Sequence, residues 1–151
     1  MKIEQAIQQK KFRSEQHKAH INVLYTAAWL SLQMTRMLKP YGITSQQFNI
    51  LRILKGLHPE PATIKLLTSR MIDKTSNTSR LVDKLLAKGL LDRIECSQDR
   101  RRVDIRITDK GLDLINTASE KLNLLEEGMF QLADAEAGEL NRLLDKMRTN
   151  E

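Results

Sequence analysis

The sequence predicts a mainly α-helical subunit that carries one small antiparallel β hairpin late in the chain. Apolar residues recur at intervals of three or four, as in Ile115, Ala118 and Leu122, which is the spacing of one helix face. Two short stretches, at 90–96 and 103–108, alternate apolar and polar residues instead, as paired strands do. Aromatic residues are only 4% of the chain, and its leucine and isoleucine content favours helices over a β sandwich.

The N-terminal region is predicted to be a short helix at 3–8 followed by a long helix from about Ser14 to Lys39, where Pro40 stops it. The apolar residues of the long helix cover more than one stripe. A helix that is apolar on most sides must be buried on most sides, and a chain of 151 residues offers little to cover it. We therefore expect a homodimer.

Three shorter helices are predicted in the middle of the chain, at about 45–55, 64–71 and 75–88. Thr44 or Ser45 can cap the first helix. Residues 58–63 are predicted to form a turn, and Thr63 to begin the second helix. Gly89 ends the third helix, because glycine readily adopts the left-handed conformation that follows a helix.

The hairpin strands at 90–96 and 103–108 follow these helices, and two further helices come after them. Thr108 is predicted to cap the first and Asp134 the second. Helix, turn, helix and then a two-stranded hairpin is the order of a winged helix-turn-helix. The predicted fold is therefore mainly α with a small antiparallel β wing, flanked by N- and C-terminal helices suited to dimerisation.

The net charge of +6 is distributed unevenly. Residues 65–110 carry twelve Lys/Arg against seven Asp/Glu, or +5, whereas residues 111–151 carry four against nine, or −5. A basic middle segment is the electrostatic signature of a nucleic-acid or other polyanion partner. A solvated surface is the alternative explanation.

The compartment is expected to be the cytoplasm. Cys96 is the one cysteine, so an internal disulfide is excluded and a reducing environment fits. The N-terminus lacks the apolar stretch of a secretory signal, and the apolar region at 23–38 is interrupted too often by polar residues to span a membrane. No phosphate loop, metal-ligand cluster or nucleophile motif indicates an enzyme or a cofactor.

The helix at 75–88 has the surface expected of a recognition helix. Its predicted buried stripe is Leu81, Val82, Leu85 and Leu86. The opposite face holds Ser76, Asn77, Arg80, Asp83, Lys84 and Ala87. Asparagine can pair with adenine edges and arginine with guanine, while small residues allow close approach in the major groove. An ordinary amphipathic surface helix is the alternative explanation.

The predicted hairpin tip carries Arg100, Arg101 and Arg102. Three arginines cannot be buried unpaired, but at the tip of a wing they can enter a narrow minor groove, where negative potential is concentrated. Asp99 is explained as an intramolecular partner that holds one arginine in place. A solvated charge run remains the alternative.

Residues 75–111 read TSNTSRLVDKLLAKGLLDRIECSQDRRRVDIRITDKG, and residues 42–54 read GITSQQFNILRIL. The pieces SRLVDKL, KGLLDR, DRR and ITDKG, in that order, resemble the core of the MarR family of bacterial regulators. The resemblance covers about residues 20–148. It implies an obligate dimer that binds a pseudo-palindromic double-stranded DNA site and usually represses genes, with release by a small ligand or an oxidant in some members.

The resemblance also implies roles by position. Asp99 and Arg101 correspond to the wing pair, and residues 76–78 and Arg80 fall where members contact DNA, although the helical wheel places Thr78 on the buried side. The candidate DNA-binding residues are Thr75, Ser76, Asn77, Thr78, Arg80, Lys84, Asp99, Arg100, Arg101 and Arg102. Residues 1–40 and 109–151 are then the dimerisation helices, and residues 41–108 are the DNA-binding lobe.

Several residues admit two interpretations. Tyr25, Trp29 and Met37 can line an effector pocket, or simply pack in the core. His17 and His20 can share a helix face, but with few acids nearby we expect no metal site. Cys96 is expected to be a bystander, because the peroxide-sensing members carry their cysteine in the first long helix. A winged helix that serves as a protein-interaction module, without specific DNA binding, is the alternative function.

Overall fold

The computed structural model describes residues 1–95, 103–129 and 131–148. The helices are α1 Ile3–Ala6, α2 Glu15–Leu38, α3 Ser45–Leu57, α4 Ile64–Arg70, α5 Thr78–Ala87, α6 Asp109–Met129 and α7 Asp134–Met147, with a 3₁₀ turn at Lys39–Tyr41. The strands are β1 Ala62–Thr63, β2 Leu91–Glu95 and β3 Val103–Ile107. The predicted fold class, mainly α with a small antiparallel β sheet, is confirmed.

The sheet has three strands in the order β1–β3–β2, all antiparallel. The predicted hairpin pairs Leu91 with Ile107 and Arg93 with Ile105. Ala62 and Thr63 were predicted to be part of a turn. They form strand β1 instead, in which Ala62 pairs with Ile105 of β3. Two residues are too few to show an alternating pattern, so only the neighbouring strand reveals that this segment is extended.

Most helices begin close to the predicted positions, and side-chain caps stabilise these starts. Ser14 Oγ accepts a hydrogen bond from His17 N (3.1 Å), and Thr44 Oγ1 accepts one from Gln47 N (3.2 Å). Thr63 Oγ1 caps α4 in the same way. Asp134 was predicted to cap the last helix, but it is the first residue of α7. Ala133 is the N-cap residue, and its backbone N donates a hydrogen bond to Glu136 Oε2 at 2.8 Å.

The chain divides into two compact units, Met1–Ala118 and Ser119–Glu151. The core of the first unit is apolar and includes Phe48, Ile50, Leu51, Leu54, Leu67, Val82, Leu85, Leu91 and Ile105. In the second unit, α7 has no buried residue. None of the helices among residues 1–95, 103–129 and 131–148 combines the length and apolar character needed to cross a membrane.

Candidate nucleic-acid interface

The start of α5 lies three residues later than predicted. Asn77 is the N-cap residue, and its Oδ1 accepts a hydrogen bond from Arg80 N at 3.1 Å. The Asn77 side chain remains exposed. Its carbonyl oxygen therefore closes the first turn of the helix, while its amide group is still available to a partner.

The segment before α5 is a turn held by Asp73. Thr75 donates to Asp73 Oδ1 twice, from its backbone N (2.9 Å) and from its Oγ1 (2.6 Å). The hydrogen bond from the Thr75 hydroxyl is the main reason that the pKa of Asp73 is lowered, and the Thr75 N–H adds to it. Ser76 N also donates to the Asp73 carbonyl at 3.2 Å. Thr75 thus orders the entry to α5, and its hydroxyl proton is already engaged.

The buried side of α5 includes one of the candidate DNA-binding residues, Thr78. Val82 and Leu85 are fully buried, as predicted, while Leu81 and Leu86 are half-buried. Thr78 is 4% exposed, which agrees with the side on which the helical wheel placed it. The DNA contact that the family resemblance implies for Thr78 stays a prediction.

The exposed side of α5 presents Asn77, Arg80 and Lys84 along one edge. Within the described part of the chain, no hydrogen bond or ion pair uses the Arg80 guanidinium or the Lys84 ammonium group. These groups line a shallow cavity of about 320 Å³ together with the start of α3, namely Thr44 and Gln46. The surface combines free cations with short polar side chains, as recognition of bases and phosphates requires.

Asp83 and Arg93 connect α5 to the wing. Arg93 on β2 donates to Asp83 Oδ1 from its Nη2 at 2.5 Å, and both side chains are more than half exposed. Sequence reasoning placed Asp83 on the outer face of the helix but did not find this partner. Arg93 lies two residues after the buried Leu91 and opposite the buried Ile105. Strand alternation therefore places it on the inner face of the wing, and this is the signal that could have suggested a partner on a packed helix.

The wing tip lies outside the described residues. Asp99, Arg100, Arg101, Arg102 and Cys96 all belong to the segment 96–102, so their predicted roles remain predictions. Elsewhere, His17 Nδ1 accepts from Arg13 N at 3.4 Å, and its ring meets Phe12 edge-on at 5.9 Å. In the part of the chain that the structure describes, no cluster of three or more histidine, cysteine or acidic side chains could hold a metal.

A second cavity, of about 330 Å³, lies between α2, α3 and the loop before α5. Its lining residues are Ser31, Met34, Ser45, Gln46, Phe48, Asn49, Arg52, Met71, Ile72 and Asp73. Tyr25, Trp29 and Met37 are not among them, and an effector pocket at these three residues stays a prediction. Tyr25 and Trp29 are each 39% exposed on α2, and both precede Ser31 and Met34, the residues of α2 that line the cavity.

Comparisons with known proteins agree with this geometry. The model of the MarR family matches residues 43–103. The chain is 33% identical over 105 residues to the HTH-type transcriptional regulator PecS of Dickeya dadantii, covering 66% of this chain and 63% of PecS. The match thus spans a little under two thirds of that relative.

Solved structures share the fold. The organohalide-sensing regulator RdhR, in its 2,4-dichlorophenol-bound form, aligns with a TM-score of 0.79 and 23% identity over 93% of this chain and 85% of its own. The MepR–DNA complex of S. aureus aligns with a TM-score of 0.72 and 21% identity, over 86% and 94% respectively. Taken together, the family model and the curated relative show that the chain is similar to the MarR family of transcriptional regulators, and the solved structures show that it shares their fold.

Proposed function

We propose that two copies of this chain bind a pseudo-palindromic site in double-stranded DNA and repress the gene that the site controls. The observation that carries the proposal is the outer edge of α5, where Asn77, Arg80 and Lys84 are exposed while the opposite edge is buried. The MepR–DNA complex, which has the same fold, adds support. A helix presented in this way can enter the major groove by its N-terminal end.

Each exposed group suits a different part of the DNA. The Asn77 amide and the Arg80 guanidinium lie in the first turn of α5 and are proposed to meet base edges, where bidentate pairing gives specificity. Lys84 lies one turn further on and is proposed to meet phosphate, which binds every sequence alike. The wing arginines are proposed to enter the minor groove, with Asp99 holding Arg101.

The dimer is proposed from apolar surface that the single chain leaves uncovered. Within α2, Leu24 is 56% and Leu32 46% exposed, and in α7, Leu143 is 44% and Met147 57% exposed. Large apolar side chains left exposed on a helix are typical of a protein–protein interface. We propose that N- and C-terminal helices of two subunits form an obligate, apolar interface. Light scattering at micromolar concentration should give twice 17.4 kDa; a stable folded monomer would refute the dimer.

The DNA proposal is tested by selecting duplexes from a random pool with the purified protein. Arg80→Ala should relax discrimination at particular base pairs by about 1–3 kcal/mol. Lys84→Ala should weaken selected and random duplexes equally and reduce the salt slope by roughly one counterion per subunit. Lys121→Ala, which removes an exposed lysine of α6, serves as the charge control. If no duplex is enriched and random duplex is bound without salt dependence, the chain is a protein-interaction module instead.

An effector is proposed to occupy the cavity between α2, α3 and the loop before α5. Its volume of about 330 Å³ lies at the lower end of small-molecule sites, and it combines Met34 and Phe48 with the cationic Arg52. The floor of the cavity is coupled to the DNA-binding face, because Ile72 N donates to Asn49 Oδ1 (2.9 Å) and Asp73 holds the turn before α5.

The first probe for this cavity is 2,4-dichlorophenol, because it is bound by RdhR, which has the same fold. Thermal unfolding should shift upward with the probe, and Arg52→Met should change the shift while leaving unfolding without probe close to wild type. Arg36→Met is the control, since Arg36 is an exposed residue of α2 outside the cavity lining. If the probe shifts the unfolding temperature equally in wild type, Arg52→Met and Arg36→Met, it does not bind in this cavity.

A further inference from the structure

The junction that follows the recognition helix, Lys88–Leu90, is held by the start of α6. Three successive carbonyl oxygens of this junction accept hydrogen bonds from residues 108–110. Lys110 Nζ donates to Lys88 O at 2.8 Å, Thr108 Oγ1 donates to Gly89 O at 2.9 Å, and Thr108 N donates to Leu90 O at 3.2 Å. The carbonyl groups at the end of a helix otherwise lack partners, so α6 supplies them here.

The junction also has a fixed conformation. Gly89 has φ +67°, and Leu90 N donates to Leu85 O at 3.1 Å while Gly89 N donates to Leu86 O at 2.9 Å. This is the double hydrogen bond of a left-handed helix end. These two hydrogen bonds connect the junction to the last turn of α5, so an element that binds the three carbonyl groups also contacts the end of the helix.

The first turn of α6 is closely packed against the junction Lys88–Leu90. A Cβ added at Gly111 would lie 2.3 Å from Leu90 O and 2.8 Å from Ile107 Cγ1. Thr108 Oγ1 meanwhile accepts a hydrogen bond from Gly111 N at 3.0 Å, so one hydroxyl caps α6 and holds Gly89 at once. Lys88 connects the junction to a second segment, because its ammonium group donates a hydrogen bond to Gly42 O in the turn before α3.

We propose that Thr108 and Lys110 are positioning residues for sequence-specific DNA binding, which fix the C-terminal end of α5 to the first turn of α6. The inference rests on the proposed DNA-binding function. Neither residue needs to touch DNA. Because α5 must present Asn77 and Arg80 at a defined angle to reach base edges, an unfixed helix end reduces specific binding, while phosphate contacts, which tolerate small rotations, persist.

A role in stability alone makes a different prediction. If these hydrogen bonds only stabilise the fold, removing them lowers the unfolding temperature but leaves the ratio of specific to random binding unchanged. A direct phosphate contact by Lys110 would instead reduce the salt slope. The two measurements, the affinity ratio and the salt slope, separate positioning from both alternatives.

The test uses the full-length protein and the duplex that the wild type selects from a random pool. Thr108→Val should lower affinity for that duplex by about five-fold, the equivalent of one net hydrogen bond, with random-duplex affinity and salt slope unchanged. Thr108→Ser should restore the affinity. Lys110→Met should act like Thr108→Val. The matched control is Thr117→Val, which removes a hydroxyl of α6 that bonds only to Asp113 O within the same helix (3.0 Å).

Each outcome decides the matter. A Thr108→Val variant that binds the selected duplex as Thr117→Val does, or that loses selected and random binding equally, would overturn the inference. If Thr108→Val does not fold, Lys110→Met decides alone, since it removes only an exposed amine. If the wild type selects no duplex, the proposed DNA-binding function itself fails, which is a result distinct from an unaltered affinity ratio in the variants.

Discussion

Helices α2 and α3 belong to the same compact unit but use their apolar residues in opposite ways. In α3, five of thirteen residues are buried, and they include Phe48, Ile50 and Leu51. In α2, Leu38 is the one buried residue out of 24. α3 therefore completes its packing within the chain, whereas α2 presents Leu24, Trp29 and their apolar neighbours outward.

This difference separates two sources of stability. Each large apolar side chain that is fully buried contributes about 1.5–3 kcal/mol, so α3 is stabilised by the chain itself at any protein concentration. The apolar side chains of α2 can contribute only when a second molecule covers them. Stability that depends on association varies with protein concentration, and this dependence gives the comparison a direct experimental form.

The largest expected effect comes from making one substitution in each helix. Leu51→Ala should destabilise the protein by about 2–5 kcal/mol, because it leaves a cavity in the core. Leu24→Ala should instead weaken the proposed dimer. Urea unfolding at two protein concentrations distinguishes the variants: the loss caused by Leu51→Ala should be the same at both, and the loss caused by Leu24→Ala should be larger in the dilute sample. Equal losses for Leu24→Ala at both concentrations would contradict the assignment of α2.

A second comparison uses the two ends of α6. Gly111→Ala should destabilise by about 1–3 kcal/mol, since the added Cβ would overlap Leu90 O and force the backbone apart. Gly128→Ala, near the other end, meets nothing within 4 Å and should stabilise the helix by about 0.5–1 kcal/mol. Thermal unfolding of both variants gives the signs. If both Gly111→Ala and Gly128→Ala unfold at a higher temperature than the wild type, Gly111 is not closely packed against Leu90.

Asn77 combines a local role with the proposed DNA contact, and two substitutions separate them. Asn77→Ala should lose about 1 kcal/mol of stability through the missing cap and should also relax base discrimination. Asn77→Ser keeps a capping oxygen, so unfolding should stay near wild type while discrimination is still relaxed. Ser14→Ala removes the cap of α2 as a control and should lower stability without altering discrimination. Unchanged discrimination in Asn77→Ser would remove Asn77 from the interface.

The smallest expected effect concerns the turn at Asp73. Its pKa is lowered below the usual 3.8 mainly by the Thr75 hydroxyl, so the ordering that this carboxylate provides is present above that pH and is lost as the pH falls through its folded pKa. Thr75→Val should raise the pKa of Asp73 towards 3.8 in an NMR titration. Thr117→Val should leave it unchanged, and an unshifted Asp73 in Thr75→Val would rule out the hydroxyl as the cause.

Sequence reasoning succeeded where local chemistry decides the structure. Ser14 and Thr63 were predicted to begin helices, and Thr44 or Ser45 to cap one. In the structure Ser14, Thr44 and Thr63 act as caps. Sequence reasoning erred at the start of α5, because the polar run TSNT contains four residues that can each cap a helix. The interactions of Asp73 with Thr75 hold the first of them in the preceding turn, which leaves Asn77 as the cap.

The sequence by itself determined the resemblance to the MarR family, the order of the helices and the two hairpin strands, and the polar surface of α5, because helix periodicity, capping and charge are set by neighbouring residues. Only the tertiary structure decided that Ala62 joins the sheet, that Arg93 pairs with Asp83, and that the first turn of α6 holds the junction after α5. These contacts join residues ten to more than forty positions apart. Their partners are set by how packed elements meet in space, and spacing along the chain carries no record of that.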